Sequence, residues 1–134
     1  MSVVGGEKHT VPYRILVLED EALARTTLSF VLKNKGYHVA EAADGYAGVK
    51  LARVFRPDLV VTDMIMPGMD GVEVCRQLRR DPITKDIPIL VISNMADKRH
   101  VVAAVEAGAT DHLVKTSFSV CKFLHRVRDK LVAK

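Results

Sequence analysis

Residues 59–71 read LVVTDMIMPGMDG and join a short apolar run to a turn that contains Pro, Gly and Asp. The run Leu59–Val61 is continuous and rich in β-branched residues, as expected of a strand that is buried on both faces of a parallel sheet. Thr62 and Asp63 follow this run directly. The stretch therefore predicts a buried strand with a carboxylate at its carboxyl end.

The same kind of run recurs on either side of this stretch. Ile15–Leu18 and Ile89–Ile92 predict two more buried strands, and Tyr37–Ala42 and His112–Val114 fit weaker ones. Between the runs, apolar residues recur at helical spacing and predict five helices. In chain order, these helices are marked by Ala24, Leu28 and Leu32; by Ala47, Leu51 and Phe55; by Val74 and Leu78; by Val101 and Val105; and by Val120, Leu124, Val127 and Leu131.

These elements alternate strand and helix along the chain. Right-handed crossovers place the helices of such a chain on both faces of a parallel sheet. The sequence therefore predicts an α/β fold, a flavodoxin-like doubly wound sheet of five parallel strands in the order 2-1-3-4-5 with five helices. Residues 1–12 are predicted to form a flexible N-terminal arm, and residues 13–134 the folded domain.

The composition argues against several classes of protein. The 134 residues suffice for one ordinary domain and include no apolar run of the roughly 18 residues that a membrane span needs. The polar start lacks the layout of a secretory signal, and Cys75 and Cys121 are far apart on predicted helices, so a cytoplasmic location is expected. The net charge is +4, but acidic residues are interspersed with the basic ones, and aromatic residues make up only 5% of the chain. No direct nucleic-acid binding is therefore expected.

Polar residues stand where the predicted strands end. Glu19 and Asp20 follow strand 1, Asp63 follows strand 3, Ser93 ends strand 4 and Lys115 follows strand 5. Sheets of this type bind ligands beyond the carboxyl ends of strands 1 and 3, so we expect these side chains to converge.

Clustered carboxylates need a cation. Two like charges about 4 Å apart repel by about 1 kcal/mol even in water, and a few carboxylate oxygens suit Mg²⁺. A lysine and a hydroxyl nearby suit a phosphoryl group carried on a carboxylate. Taken singly, each residue also fits an ordinary role as a helix cap, a loop residue or a surface charge. Their joint occurrence at the ends of the right strands favours one shared site.

The sequence resembles the receiver domain of two-component response regulators from residue 13 to about residue 131. The resemblance is carried by ILVLED at residues 15–20, DMIMPGMDG at 63–71, VIS at 91–93 and GATDHLVK at 108–115.

The resemblance implies a role for each site residue. Asp63 would be the phosphoacceptor, and Mg²⁺ would be held at the acidic pair Glu19 and Asp20, at Asp63, and at the backbone carbonyl of Ile65. Ser93 would be the switch hydroxyl that moves to a phosphoryl oxygen, and Lys115 would pair with that oxygen or with Asp63. His112 stands where the family often has a switching aromatic residue, and a histidine that simply packs there is the alternative.

The resemblance also implies partners. A sensor histidine kinase or a phosphotransfer protein would supply the phosphoryl group, and the surface of helix 4, strand 5 and helix 5 would change to control a downstream effector protein or to form a homodimer. Because no DNA-binding segment follows helix 5 in this sequence, we expect output through a protein partner. Apart from its own phosphorylation and dephosphorylation, no enzymatic activity is expected.

Three departures from the family pattern bear on these expectations. Thr116 follows Lys115 where the family usually has a cis-proline. A cis bond to a residue other than proline costs about 2.5–4 kcal/mol, so the peptide bond between Lys115 and Thr116 is expected to be trans. Asn94 is bulkier than the usual small residue, and His112 puts a titratable ring where the family often has an aromatic residue, so the switch could be sensitive to pH. Apart from these departures, Ile65 and Met95, which by resemblance border the path of the attacking water, are apolar, so we expect a long-lived phosphorylated state.

Other phosphate-handling classes fit less well. A haloacid-dehalogenase-type phosphatase would need Asp where Ile65 stands. A P-loop NTPase or a flavodoxin would need a phosphate-binding loop where Glu19, Asp20 and Glu21 stand. A pseudo-receiver, which has the same fold but binds a protein partner without phosphorylation, stays open as an alternative.

Overall fold

The computed structural model describes residues 12–94, 98–115 and 119–132. The predicted arm falls almost entirely outside this part of the chain, as do Met95 and Thr116. The strands are β1 Arg14–Leu18, β2 His38–Ala42, β3 Leu59–Asp63, β4 Ile89–Ser93 and β5 Asp111–Val114. The helices are α1 Ala22–Asn34, α2 Gly45–Phe55, α3 Gly71–Arg80, α4 Lys98–Glu106 and α5 Val120–Val132.

The strands form one sheet in the order β2-β1-β3-β4-β5, and every neighbouring pair is parallel. The predicted fold and strand order are therefore confirmed. The register pairs Leu18 with Thr62, Asp63 with Ile92, and Ser93 with Val114. Consequently β1, β3, β4 and β5 end at one edge of the sheet, where the polar residues follow.

Side chains alternate between the two faces of the sheet and build two separate cores. Leu16, Val60 and Val91 pack with residues of α2, α3 and α4 on one face. On the other face, strand residues such as Val17 and Ile92 pack with α1 and α5. Strands β3 and β4 are buried along their entire length, which explains why their sequences are continuous apolar runs.

The connection from β3 to α3 is held close to the strand that precedes it. A Cβ atom at Gly71 would lie 2.7 Å from the carbonyl oxygen of Asp63, so only glycine lets α3 begin against the end of β3. Asp70 caps the helix by accepting a hydrogen bond from the backbone N–H of Glu73 at 2.9 Å. Gly68 has a φ of 80°, which the turn requires and glycine adopts easily. The Pro-Gly-Met-Asp-Gly segment thereby keeps the loop after Asp63 compact.

The observed elements differ from the predicted ones only at their ends. Tyr37 lies before β2, and β5 begins at Asp111, one residue earlier than predicted. Asp111 joins the strand by pairing with Leu90 of β4, and its carboxylate is held by Arg126 and Lys130 of α5 at 3.1 and 3.0 Å. Within the described ranges, none of the helices is both long and apolar enough to cross a bilayer.

Candidate functional site

Three carboxylates gather at the carboxyl edge of the sheet. Oxygen atoms of Glu19, Asp20 and Asp63 all lie within 4.8 Å of one another. Glu19 and Asp63 are buried, whereas Asp20 is exposed. Asp63 ends β3, and the two others come directly after β1, so the parallel pairing of these neighbouring strands brings the carboxylates together.

Lys115 joins this cluster from β5. Its Nζ lies 3.1 Å from Oε1 of Glu19 and 3.1 Å from Oδ1 of Asp63. One ammonium group therefore bridges two carboxylates that come from different parts of the chain. The predicted convergence of strand-end residues is observed for these groups.

The surroundings of Asp63 disfavour its ionised form. Burial raises the pKa of its carboxyl, and the neighbouring charge of Glu19 raises this pKa further. Lys115 lowers the pKa of Asp63 but does not cancel these effects. The buried setting therefore favours the neutral carboxyl of Asp63 even with Lys115 beside it.

Lys115 itself keeps its charge. Burial alone would lower the pKa of its ammonium group, but Asp63 and Glu19 outweigh burial and raise this pKa above its ordinary value. The side chain is therefore a fixed positive charge at neutral pH, placed where an anionic group on Asp63 would meet it.

Glu19 is held on several sides. Its backbone N–H donates to the carbonyl oxygen of Ala42 at 3.1 Å, and its Oε2 accepts a hydrogen bond from the backbone N–H of Glu21 at 3.1 Å. Arg25 donates to its backbone carbonyl at 2.8 Å. Together with Lys115 on Oε1, these contacts hold Glu19 in position beside Asp63 and Asp20.

Arg25 also contacts the site, although no motif in the sequence predicted it. Its guanidinium also lies 3.4 Å from the carbonyl oxygen of Asp20, and its Nε lies 3.5 Å from a carboxylate oxygen of Glu41 on β2. A positive charge in the first turn of a helix opposes the helix dipole. That unfavourable placement is the sequence signal that could have pointed to a role at the site.

Ser93 and His112 form a second pair beside the cluster. The hydroxyl oxygen of Ser93 lies 3.0 Å from Nε2 of His112, close enough for a hydrogen bond. Ser93 is buried and His112 is half-buried. Burial lowers the pKa of the imidazole, the nearby charge of Arg126 also lowers it, and Asp111 acts in the opposite direction.

Two further predicted residues lie at the rim of the site. Ile65 is 60% exposed, so its side chain borders the open side of the loop after Asp63. Asn94 is exposed directly after Ser93. Met95 and Thr116, on which the expectations about water access and the peptide bond after Lys115 rest, lie outside the described residues.

The donor set suits a hard divalent cation. Three carboxylates supply oxygen ligands, one of them open to solvent, which leaves room for the waters that Mg²⁺ retains. Burial first, and the charge of Glu19 second, raise the pKa of Asp63, and a bound cation would favour its ionised form. By the chemistry of their oxygen atoms, Glu19, Asp20 and Asp63 could therefore hold such an ion.

Comparison with known proteins identifies the family. The family model described as response regulator receiver domain matches residues 15–128. This chain belongs to the response-regulator receiver family. The match covers the elements from α1 to β5 in full and most of β1 and α5, and it includes the acidic cluster, Ser93 and Lys115.

Curated relatives of this receiver include longer regulators. The transcriptional regulatory protein AfsQ1 of Streptomyces coelicolor is 45% identical over 101 residues, which are 75% of this chain and 44% of that protein. The DNA-binding response regulator MtrA of Mycobacterium tuberculosis is 38% identical over 122 residues, 91% of this chain and 52% of that protein. The chain thus spans about half the length of these relatives.

Solved structures give the same fold. The chemotaxis protein CheY4 of Vibrio cholerae has a TM-score of 0.85 at 29% identity and covers 90% of this receiver and 100% of its own chain. The receiver domain of the sensor histidine kinase PA1611 from Pseudomonas aeruginosa has a TM-score of 0.82 at 27% identity and covers 92% of this chain and 100% of its own. That structure holds a magnesium ion in its active site cleft.

Proposed function

We propose that this receiver accepts a phosphoryl group on Asp63 and changes a protein-binding surface in response. The observation that carries the proposal is the position of Lys115, whose Nζ lies 3.1 Å from both Asp63 and Glu19. Membership of the receiver family supports the same chemistry. The Asp63 carboxylate oxygen would attack the phosphorus of a phosphohistidine on a sensor histidine kinase or a phosphotransfer protein. An oxygen–phosphorus bond forms as the nitrogen–phosphorus bond of the donor breaks.

Mg²⁺ is the cofactor that we propose for this transfer. Asp20, Asp63 and the backbone carbonyl of Ile65 would coordinate it, with Glu19 as the second acidic residue of the pair. When bound, the ion would neutralise charge on the phosphoryl oxygens. Lys115 would then ion-pair with the phosphorylated side chain instead of the free carboxylate.

The response would begin at Ser93. A phosphoryl group adds about −1.5 to −2 charges near neutral pH. The Ser93 hydroxyl would move to donate a hydrogen bond to a phosphoryl oxygen, which requires it to leave its contact with His112. The imidazole would then be free to reorient on β5, and the surface of α4, β5 and α5 would change with it. We propose that a downstream effector protein, or a second copy of this chain, reads that surface.

The alternative of a pseudo-receiver makes a different prediction for the same site. A module that binds its partner without phosphorylation has no need of a lysine between two carboxylates, nor of a hydroxyl at the end of β4. The presence of all these groups supports the phosphoryl-accepting function.

The decisive experiment is phosphorylation by a small donor. Acetyl phosphate with Mg²⁺ should add the mass of one phosphoryl group to the intact protein, and chelation of Mg²⁺ should prevent it. Asp63→Asn should abolish the addition, whereas Asp86→Asn, a matched change of an exposed aspartate before β4, should not. Persistence of the added mass in Asp63→Asn would exclude Asp63 as the acceptor. No addition to the wild type under any of these conditions would favour the pseudo-receiver.

A further inference from the structure

The loop that carries two of the three carboxylates runs from Glu19 to Glu21, between β1 and α1, and is anchored mainly through Glu19. Glu21 takes the cap position of α1 but makes no side-chain hydrogen bond to the helix. The exposed carboxylate of Asp20 stands near two other negative groups that repel it. The position of Asp20 therefore depends on how the loop backbone is held.

Arg25 supplies that hold from the first turn of α1. Its Nη1 donates to the carbonyl oxygen of Glu19 at 2.8 Å and makes a longer contact of 3.4 Å with the carbonyl oxygen of Asp20. The guanidinium therefore contacts the backbone carbonyls of both acidic residues rather than their carboxylates. Arg25 itself therefore does not occupy the side-chain oxygens that a cation would use.

Glu41 orients the guanidinium from the opposite side. Its Oε1 lies 3.5 Å from Nε of Arg25, and both side chains are only partly exposed, at 34% and 21%. The next residue, Ala42, accepts the backbone hydrogen bond of Glu19. The end of β2 thus holds the acidic loop twice, once directly and once through Arg25.

We infer that Arg25 is a positioning residue for the cation site, which sets the place of the Asp20 carboxylate through the loop backbone before any ion binds. This inference rests on the proposed Mg²⁺ site. Residues that orient metal ligands without touching the metal typically change affinity by about 10- to 100-fold when replaced.

Because Arg25 is charged, the direction in which its removal changes Mg²⁺ affinity tests the inference. If Arg25 acted only as a nearby positive charge, its removal would strengthen the binding of a divalent cation, because a repulsion would be lost. If it positions the loop, its removal weakens binding. A purely structural role would lower thermal stability and leave Mg²⁺ affinity unchanged.

The experiment is a titration of the intact protein with MgCl₂, followed by the backbone amide NMR signals of Asp20 and Asp63. We expect Arg25→Gln to raise the Mg²⁺ dissociation constant by about 10-fold. Arg25→Lys keeps the charge, but its single ammonium group cannot serve Glu41 and the loop carbonyls together, so it should also weaken binding. Arg53→Gln, which breaks an ion pair with Asp81 at the far end of α2 and removes the same charge, should leave the affinity unchanged.

Each outcome has a distinct meaning. Tighter or unchanged Mg²⁺ binding in Arg25→Gln, or wild-type affinity in Arg25→Lys, would overturn the positioning role while the Mg²⁺ site itself stands. Failure of the wild type to bind Mg²⁺ would overturn the proposed site and this inference with it. If Arg25→Gln does not fold, Arg25→Lys decides the question alone.

Discussion

Ser93 Oγ lies 3.0 Å from Nε2 of His112, so the buried hydroxyl at the end of β4 is tied to a titratable ring on β5. A protonated imidazole has two N–H donors, whereas a neutral one can also accept a hydrogen bond at one nitrogen. When His112 is protonated its Nε2 can only donate to Ser93, whereas in the neutral ring the tautomer decides whether Nε2 donates or accepts.

The first prediction concerns the pH dependence of stability. The pKa of His112 is below its ordinary value of 6.5 in the folded protein, so the unfolded chain binds this proton more readily. The stability that the neutral His112 contributes is therefore fully present above about pH 6.5 and is lost as the pH falls through the pKa of His112 in the folded protein. Between about pH 7.5 and about pH 5.5 the free energy of unfolding should fall more in the wild type than in His112→Phe.

Urea unfolding at each pH measures this difference, and comparing the two proteins cancels the other histidines. An equal fall in both proteins would mean that His112 titrates alike in the folded and unfolded states.

The second prediction concerns stability without Mg²⁺. Because burial and Glu19 raise the pKa of Asp63, its ionised carboxylate destabilises the folded protein near neutral pH. Asp63→Asn should therefore increase the free energy of unfolding in chelator, by about 1 kcal/mol, the size of one like-charge contact in water. Millimolar Mg²⁺ should raise the melting temperature of the wild type and have little effect on the variant. A less stable variant in chelator would mean that the ion pair with Lys115 outweighs the repulsion.

The third prediction concerns where the response appears. Beryllofluoride with Mg²⁺, a stand-in for the phosphoryl group, should shift backbone NMR signals in α4, β5 and α5, including those of His112 and Lys122. Couplings of this kind between sites are typically about 1–3 kcal/mol. Changes confined to α1 and α2 would contradict the proposed output surface.

The fourth prediction separates phosphorylation from that response. Lys115→Gln should fold and still gain a phosphoryl group, because Asp63 and the acidic residues remain. It should lose most of the shifts in β5 and α5, since the charge that follows the phosphoryl group is gone. Intact mass and NMR spectra of the same sample check both parts. A wild-type pattern of shifts in Lys115→Gln would exclude Lys115 from the coupling.

The fifth prediction concerns the lifetime of the phosphorylated state. Ile65 is 60% exposed at the rim of the site and cannot orient a water by hydrogen bonding. Positioning supplies much of the catalysis of phosphoryl transfer, so Ile65→Asn should speed hydrolysis of the aspartyl phosphate by about 10-fold or more. Ile83→Asn, a similar change at an exposed isoleucine after α3, is the control. Equal decay in both variants, followed by intact mass, would show that loop geometry sets the rate.

Much of the fold could be predicted because its signals are local. Runs such as Leu59–Val61 and Ile89–Ile92 must be apolar throughout, since both faces of a central parallel strand are covered by helices. The alternation of strands with helices then leaves few topologies, because crossovers are right-handed. For the same reason the meeting of Asp63 with Glu19 and Lys115 followed from the strand ends alone.

The ends of the weaker edge strands could not be predicted as well. Asp111 is a poor strand residue by itself, yet it begins β5, where it pairs with Leu90 and where Arg126 and Lys130 of α5 hold its carboxylate. Such an ion pair depends on how a helix packs across the sheet, which residue patterns do not reveal.

The architecture and the chemical groups of the site follow from the chain alone, since apolar periodicity and residue identity are local properties. The side-chain contacts between those groups arise only in the folded protein. Two examples are the hydrogen bond between Ser93 and His112 and the hydrogen bonds from Arg25 to the loop after β1. Both depend on side-chain directions and on contacts within about 3.5 Å. Distances of that size are set when helices and strands pack together, and no local pattern of residues encodes them.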